Sequence, residues 1–346
     1  MPTADVSDLT QTWPLLPSIV GLVASGLVIV IAGTRITGLV DEIADRTGWG
    51  EAIAGAVLLG AATSLPGLVT LTTGALAGDA SFALANPVGG ILIQTVWLAI
   101  ADLFYRRVNL EHAAASSANI LQSVILVGLL AVPVIGYSTP TLSVMGVHPA
   151  SLAIVPLYVA GLYLLRQQRS NPMWLPQVTD DTVEDEPQET TDRTMARLWT
   201  SFMLLAATMF LAGYVVGQSG LGLVEATGAS GSLIGSTVTS GISSLPELVT
   251  LLAAVRIRAL TLGVGDIVGG NVFDALQITV ADLAYRDGPV YADAGPSGLL
   301  LLGAAILTTG MLTAGLLMRD RRGIGFEGVA IPVVYVLAIA GVAYLG

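Results

Sequence analysis

Three acidic side chains, Glu247, Asp266 and Asp274, stand inside two long apolar stretches of the chain. The first stretch reads Ser240-Gly-Ile-Ser-Ser-Leu-Pro-Glu-Leu-Val-Thr250, the second Gly265-Asp-Ile-Val-Gly-Gly-Asn-Val-Phe-Asp274. Pro246 has no amide hydrogen, and in a regular helix its ring collides with the carbonyl of Ile242, so a kink or break is expected there. Carbonyls over 240–243 then lack partners, which is costly in lipid but useful beside a cavity, where they can bind a cation. Ser240, Ser243 and Ser244 add hydroxyl oxygens and Glu247 a carboxylate, a set suited to hard cations such as sodium and calcium. In the second stretch Asp266, Asn271 and Asp274 put three polar side chains into an apolar run whose glycines permit close helix approach. Carboxylates inside membrane spans usually mark ion or proton pathways. The plainer alternative is a set of buried polar groups bonded to neighbouring helices.

The elements that must position these residues follow from composition. The chain has 346 residues, 53% hydrophobic and 11% charged, with mean hydropathy +0.77; soluble domains carry about 25% charged residues. Ten apolar segments, at about 14–33, 51–77, 82–103, 117–136, 147–166, 197–217, 230–255, 261–284, 297–318 and 327–345, are long enough to cross roughly 30 Å of hydrocarbon. An all-α membrane protein with ten transmembrane helices is therefore expected. If the loops alternate sides, one side holds thirteen arginines and the other Arg286 alone. The positive-inside rule then puts both termini outside and the loop 167–196 in the cytoplasm, in a multi-pass protein of the cell membrane. The first segment lacks a basic n-region and a small-residue cleavage site, so no removable signal peptide is expected. The loop 167–196 carries Asp180, Asp181, Glu184, Asp185, Glu186 and Glu189 and reads as an acidic linker.

Several chemistries are poorly supplied. There is no cysteine and no lysine, and only two histidines, His112 and His148, both in expected loops. Thiolate metal sites and a serine–lysine intramembrane hydrolase are thereby excluded, and neither an enzyme nor a cofactor is expected. A net charge of −11 argues against nucleic acid as a partner; the expected partners are cations and the lipid bilayer. Oligomeric state is not legible.

The chain repeats itself. Residues 60–106 match 240–286 at a constant offset of 180, with 15 identities over the 44 positions from 63 to 106. Ser64-Leu-Pro66 matches Ser244-Leu-Pro246, Val88-Gly-Gly90 matches Val268-Gly-Gly270, and Ala101-Asp-Leu103 matches Ala281-Asp-Leu283. Because five spans are an odd number, the second copy enters the membrane the other way up: two inverted five-helix repeats, 1–166 and 197–346, joined by the linker 167–196. Glu247 is matched by Gly67, Asp274 by Gln94 and Asp266 by Asn86, so the central charge comes from the second copy. Thr63, Ser64 and Gln94 offer neutral oxygens from the first. Asp102 and Asp282 each precede an arginine by four residues, which predicts the helical ion pairs Asp102–Arg106 and Asp282–Arg286.

These motifs resemble the alpha repeats of the calcium/cation antiporter superfamily, which includes sodium/calcium and calcium/proton exchangers. Ser243 to Thr250 and Gly265 to Asp274 look like that family's Gly-Thr-Ser-x-Pro-Glu and Gly-Asn-x-x-Gly-Ser-Asn-x-x-Asn/Asp elements, the latter spanning Asp266 and Asn271 as well. The resemblance implies that Glu247 and Asp274 coordinate the ion, assisted by Ser243, Ser244 and the carbonyl of Ser240, with Thr63, Ser64 and Gln94 contributing from the first copy. The chain departs from the family pattern at Gly67, usually acidic, and at Gly90 and Gly270, usually serine. The expected function is secondary antiport by alternating access, exchanging calcium or another divalent cation for sodium or protons. Two carboxylates can neutralise one divalent cation, and a desolvated carboxylate can also exchange its charge by taking up a proton. The alternative is a cation-binding sensor or structural protein on the same scaffold, without transport.

Overall fold

The structure, a computed structural model, describes residues 12–47, 59–104, 116–170, 193–256, 260–318 and 325–346. Every regular element among them is helical. In chain order these are α1 (Leu15–Thr47), α2 (Gly60–Thr63), α3 (Leu65–Leu76), α4 (Ala80–Phe104), α5 (Ser117–Gly136), α6 (Pro149–Ser170) and α7 (Met195–Thr227). There follow α8 (Gly231–Ile234), a π turn (Gly235–Thr239), α9 (Ser240–Ser243), α10 (Leu245–Arg256), α11 (Leu260–Ala284), α12 (Val290–Asp293), α13 (Gly295–Leu317) and α14 (Phe326–Leu345). Eight helices are long and apolar enough to cross a bilayer, and the run from α8 through α10 makes a ninth if its two parts, bent by 49°, count as one broken span. The segment expected over 51–77 is described from Leu59 onward, as α2 and α3. Most of the acidic linker, the pair Asp102–Arg106 and His112 lie outside the described residues or side chains.

Two helices outrun the spans that hydropathy marks. Helix α1 continues from the apolar segment through Arg35 to Thr47, and α7 runs on to Thr227. At 33 residues each, both are about 50 Å long, well beyond the hydrocarbon thickness. Polarity ends a membrane span but does not end a helix. The Glu42–Arg46 ion pair, 2.7 Å and spaced i,i+4, supports the polar end of α1. What stops α7 is Gly228, whose left-handed φ of 69° lets its amide close on the carbonyl of Val224.

Helices α4 and α11 form the centre. Of their most apolar windows 83% and 67% is buried, against 22% for α6 and α14, which turn most of their surface outward. Helix α4 packs on α11, α13, α14, α8 and the π turn; α11 packs on α4, α5, α6 and α10. Along one flank α1 lies against α7, and α7 against α3. Two of these approaches are backbone on backbone. A Cβ on Gly213 would sit 2.6 Å from the carbonyl oxygen of Pro66, and one on Gly89 would sit 2.4 Å from Cα of Ser236 in the π turn.

His148 precedes α6, as expected for a loop residue, yet it is buried in a polar knot. Its Nδ1 accepts the amide of Ala150 at 3.0 Å, so Nε2 carries the proton and donates to the carbonyl of Thr139 at 2.9 Å. The His148 amide donates to Asp282 at 2.8 Å, and the other Asp282 oxygen accepts the amide of Val290 at 2.7 Å. The expected Asp282–Arg286 ion pair is not formed. Helix α11 ends at Ala284, so Arg286 falls beyond the helix and the i,i+4 geometry lapses, while two backbone amides take both carboxylate oxygens.

Gly89→Ala forces α4 off the π turn and should destabilise the protein by about 1–3 kcal/mol, the usual cost of overpacking. Gly128→Ala, where an added methyl meets nothing within 4 Å, should not. Thermal unfolding of the two variants in detergent is the check.

Candidate functional site

The same tripeptide breaks two helices in the same way. The break falls at Ser64 and Ser244, whose ψ angles rise to near zero: φ −77°, ψ −7° at Ser64, still within the α region, and φ −94°, ψ 9° at Ser244, outside it. Leu-Pro follows each, with Pro66 and Pro246 in the first turn of the next helix, where a missing amide hydrogen costs nothing. A serine preceding a helix ordinarily caps it, accepting from an amide of its first turn. Ser64 does not: it makes no cap bond, and its hydroxyl instead donates to Asp274 Oδ1 at 2.8 Å.

Asp274 is the hub. Besides Ser64 it accepts from Gln94 Nε2 at 2.9 Å and Gln277 Nε2 at 2.7 Å, and Gln94 Nε2 also reaches Ser244 Oγ at 3.1 Å. A carboxylate can only accept, so both amides must turn their nitrogens toward it and their oxygens elsewhere. Glu247, in the first turn of α10, lies close enough to Asp274 for the two carboxylates to interact electrostatically, with Thr63 beside it. Only 5% of each acidic residue is exposed.

Between these groups lies a cavity lined by Ser64, Gly67, Gly90, Gln94, Ser243, Ser244, Glu247, Asp274 and Gln277, with Asn86 and Pro87 at its side. Its volume is about 10 Å³ measured to the centre of a water-sized sphere, room for one such particle. Three of its buried oxygens have no hydrogen-bond partner among the described residues: Glu247 Oε2, Gln94 Oε1 and Gln277 Oε1. All three are acceptors. Uncompensated buried acceptors are expensive, and a cation is the particle that satisfies several of them at once. No group of three or more His, Cys, Asp or Glu side chains placed to hold a metal ion exists among the described residues; the cavity lining offers two carboxylates and neutral oxygens.

The structure brings Glu247, Asp274, Ser243, Ser244, Ser64 and Gln94 to the cavity and sets Thr63 next to Glu247. It does not bring three other candidates there. The Ser240 hydroxyl bonds to the carbonyl of Thr237, and its own carbonyl already accepts from Ser243 Oγ and the Ser244 amide. Asp266 is half-buried and accepts from Thr250 Oγ1 at 2.6 Å. Asn271 is buried toward Thr95, 3.3 Å away. Eight residues of helix separate Asp266 from Asp274, about 12 Å along the axis, too far for one small cavity. Asn271, one turn before Asp274, also faces α4, but its amide nitrogen is taken up by Thr95 and it does not line the cavity.

Two lining residues escaped sequence reading. Gln277 lies one helical turn after Asp274, but the repeat hides it, because Trp97 stands opposite. Asn86 was visible only as the match of Asp266. It clamps the two broken helices: with the carboxamide assigned so that each atom meets a fitting partner, its nitrogen donates to the carbonyl of Gly67 at 3.3 Å, while its oxygen accepts from Thr239 Oγ1 at 2.9 Å and the Ser240 amide at 3.2 Å.

A bundle of apolar helices, broken at its centre around paired carboxylates and unsatisfied oxygens, is the build of a membrane cation carrier. The chain belongs to the sodium/calcium exchanger protein family, whose model matches residues 17–167 and 197–344. The family is one of exchangers rather than enzymes. No curated protein sequence matches the chain significantly. Among solved structures it is similar to the sodium-calcium exchanger NCX_Mj soaked with Na+ and Sr2+, at 16% identity and TM-score 0.58 over 94% of this chain and 98% of that one. It is similar also to the H+/Ca2+ exchanger CAX, at 14% identity and TM-score 0.60 over 95% and 88%. A third is native YfkE, at 14% identity and TM-score 0.59 over 96% and 93%. At these identities the likeness is one of fold.

Asn86→Leu removes the clamp and strands a buried amide and carbonyl. The expected loss is about 1–3 kcal/mol of stability, seen as an earlier thermal unfolding transition.

Proposed function

We propose that the protein exchanges calcium, or another divalent cation, for sodium or protons by alternating access, with Glu247 and Asp274 as the charged ligands. The observation that carries this reading is a small cavity lined by Glu247, Asp274, Gln94 and Gln277, among whose buried oxygens Glu247 Oε2, Gln94 Oε1 and Gln277 Oε1 have no hydrogen-bond partner among the described residues. Two carboxylates balance one divalent cation. Ser64, Ser243, Ser244, Gln94 and Thr63 complete the oxygen shell from both sequence copies. The counter-ion acts by competing for the same carboxylates, sodium as a ligand-bound ion and the proton by neutralising one of them. The solved exchangers of like fold are described with sodium and calcium in one case and with protons and calcium in another, which supports either counter-ion.

The membrane arrangement belongs to the same reading: ten spans in two inverted repeats, 1–166 and 197–346, joined by the linker 167–196, in the cell membrane with both termini outside. The internal 180-residue repeat and the thirteen-to-one arginine split support it.

In proteoliposomes, calcium uptake should be driven by an outward sodium or proton gradient. Glu247→Gln and Asp274→Asn should each reduce it by on the order of 100-fold, the effect of losing about 3 kcal/mol of ion binding. Acidification without sodium should slow it, because protonated carboxylates cannot hold the ion. Uptake at the wild-type rate in both variants would remove these residues from the mechanism. Calcium binding without flux under any gradient would mean a sensor.

A further inference from the structure

We propose that Gln277 is a direct ligand of the transported cation and takes over the place that a side chain at residue 67 would otherwise fill. This rests on the cation-exchange reading above. Gln277 is buried, and its Nε2 is committed to Asp274 Oδ1 at 2.7 Å. The carboxamide lies edge-on to Gly67 with its oxygen the nearer atom. A Cβ built on Gly67 would lie 3.4 Å from Gln277 Oε1, 3.7 Å from Ser243 Oγ and 3.8 Å from Gln277 Nε2. The oxygen thus stands over the bare backbone of Gly67, in the cavity wall, with no donor among the described residues.

The internal repeat gives this placement its meaning. The 180-residue offset that aligns Ser64-Leu-Pro66 with Ser244-Leu-Pro246 puts Gly67 where the second copy has Glu247. The first copy therefore withholds a side chain at one of the two positions from which the second supplies charge to the cavity. The space so left is filled from α11 by an uncharged oxygen. The substitution is one-sided, because the residue matched with Gln277 is Trp97, which has no oxygen to offer. The cavity then presents two carboxylates, from Glu247 and Asp274, and two carboxamide oxygens, from Gln94 and Gln277. Its formal charge is that of two carboxylates rather than three, so Gln277 also sets how much positive charge the site holds.

Calcium binding to the full-length protein in detergent, at fixed pH with and without sodium, tests this. Gln277→Ala should weaken calcium binding by about tenfold or more. Gly67→Glu combined with Gln277→Ala should bring it back to within about threefold of wild type. Glu at residue 67 supplies an oxygen to the same space but no N–H for Asp274, so a residue that merely orients Asp274 could not be replaced this way. The near-isosteric Gln277→Glu covers the case in which the alanine variant does not fold. By adding charge at the ligand position it should raise the preference for calcium over sodium. Wild-type binding in Gln277→Ala, a loss that the double variant does not recover, or an unchanged calcium-to-sodium preference in Gln277→Glu would each overturn the assignment. Glu247→Gln separates the two readings. If it loses calcium while Gln277→Ala does not, exchange at this site stands and the role of Gln277 goes; if it too binds like wild type, the site itself is wrong.

Discussion

A carboxylate far from water must be surrounded, and Asp274 is surrounded by donors drawn from three separate places in the chain. Ser64 lies 210 residues away in sequence, Gln94 lies 180 away, and Gln277 comes from the same helix. The interior of the bundle is organised to make these bonds possible. A helix has to break at Ser64 for that hydroxyl to turn inward, and α4 has to approach α11 closely for the carboxamide of Gln94 to arrive. Glu247 is the counterpoise: equally buried, it keeps one oxygen unpaired toward the cavity. One carboxylate is thus held in place by its donors while the other keeps acceptor capacity to spare.

The breaks are local chemistry used twice. Proline in the first turn of a helix is harmless to that helix and fatal to the one before it. Serine ahead of it marks the break and turns a short hydroxyl toward the interior, Ser64 to Asp274 and Ser244 to Gln94. The tripeptide therefore delivers hydroxyls where short helical pieces meet, α2 with α3 and α9 with α10. Proline alone does not end a helix here: α4, α5, α6 and α14 continue past Pro87, Pro133, Pro156 and Pro332.

Much of this was legible in the sequence. The apolar segments, the Ser-Leu-Pro breaks, and the meeting of Glu247 and Asp274 with Ser64, Ser244 and Gln94 follow from residue type, spacing and the internal repeat. What was not legible has identifiable causes. Hydropathy locates the membrane, so it could not see α1 and α7 continuing into the polar flanks. Helical spacing alone placed Asp266 and Asn271 in the same stretch as Asp274, but which face of α11 meets the cavity depends on the packing of α4. The Asp282–Arg286 pair failed because the helix stopped two residues short of the arginine. Gln277 was hidden for the opposite reason: the repeat directs attention to positions that match, and this one gains its role from a position that does not.

Asn86 has a mechanical consequence. Its carboxamide is fastened at one end to the carbonyl of Gly67 in α3 and at the other to Thr239 and Ser240, where the π turn passes into α9. The two interrupted helices are thereby linked through one planar, rigid group carried on a third. Neither can slide or straighten without stretching bonds made by the other, so a displacement on one face of the cavity is handed across to the opposite face. A single uncharged residue outside the charged shell thus ties the two interrupted helices to each other.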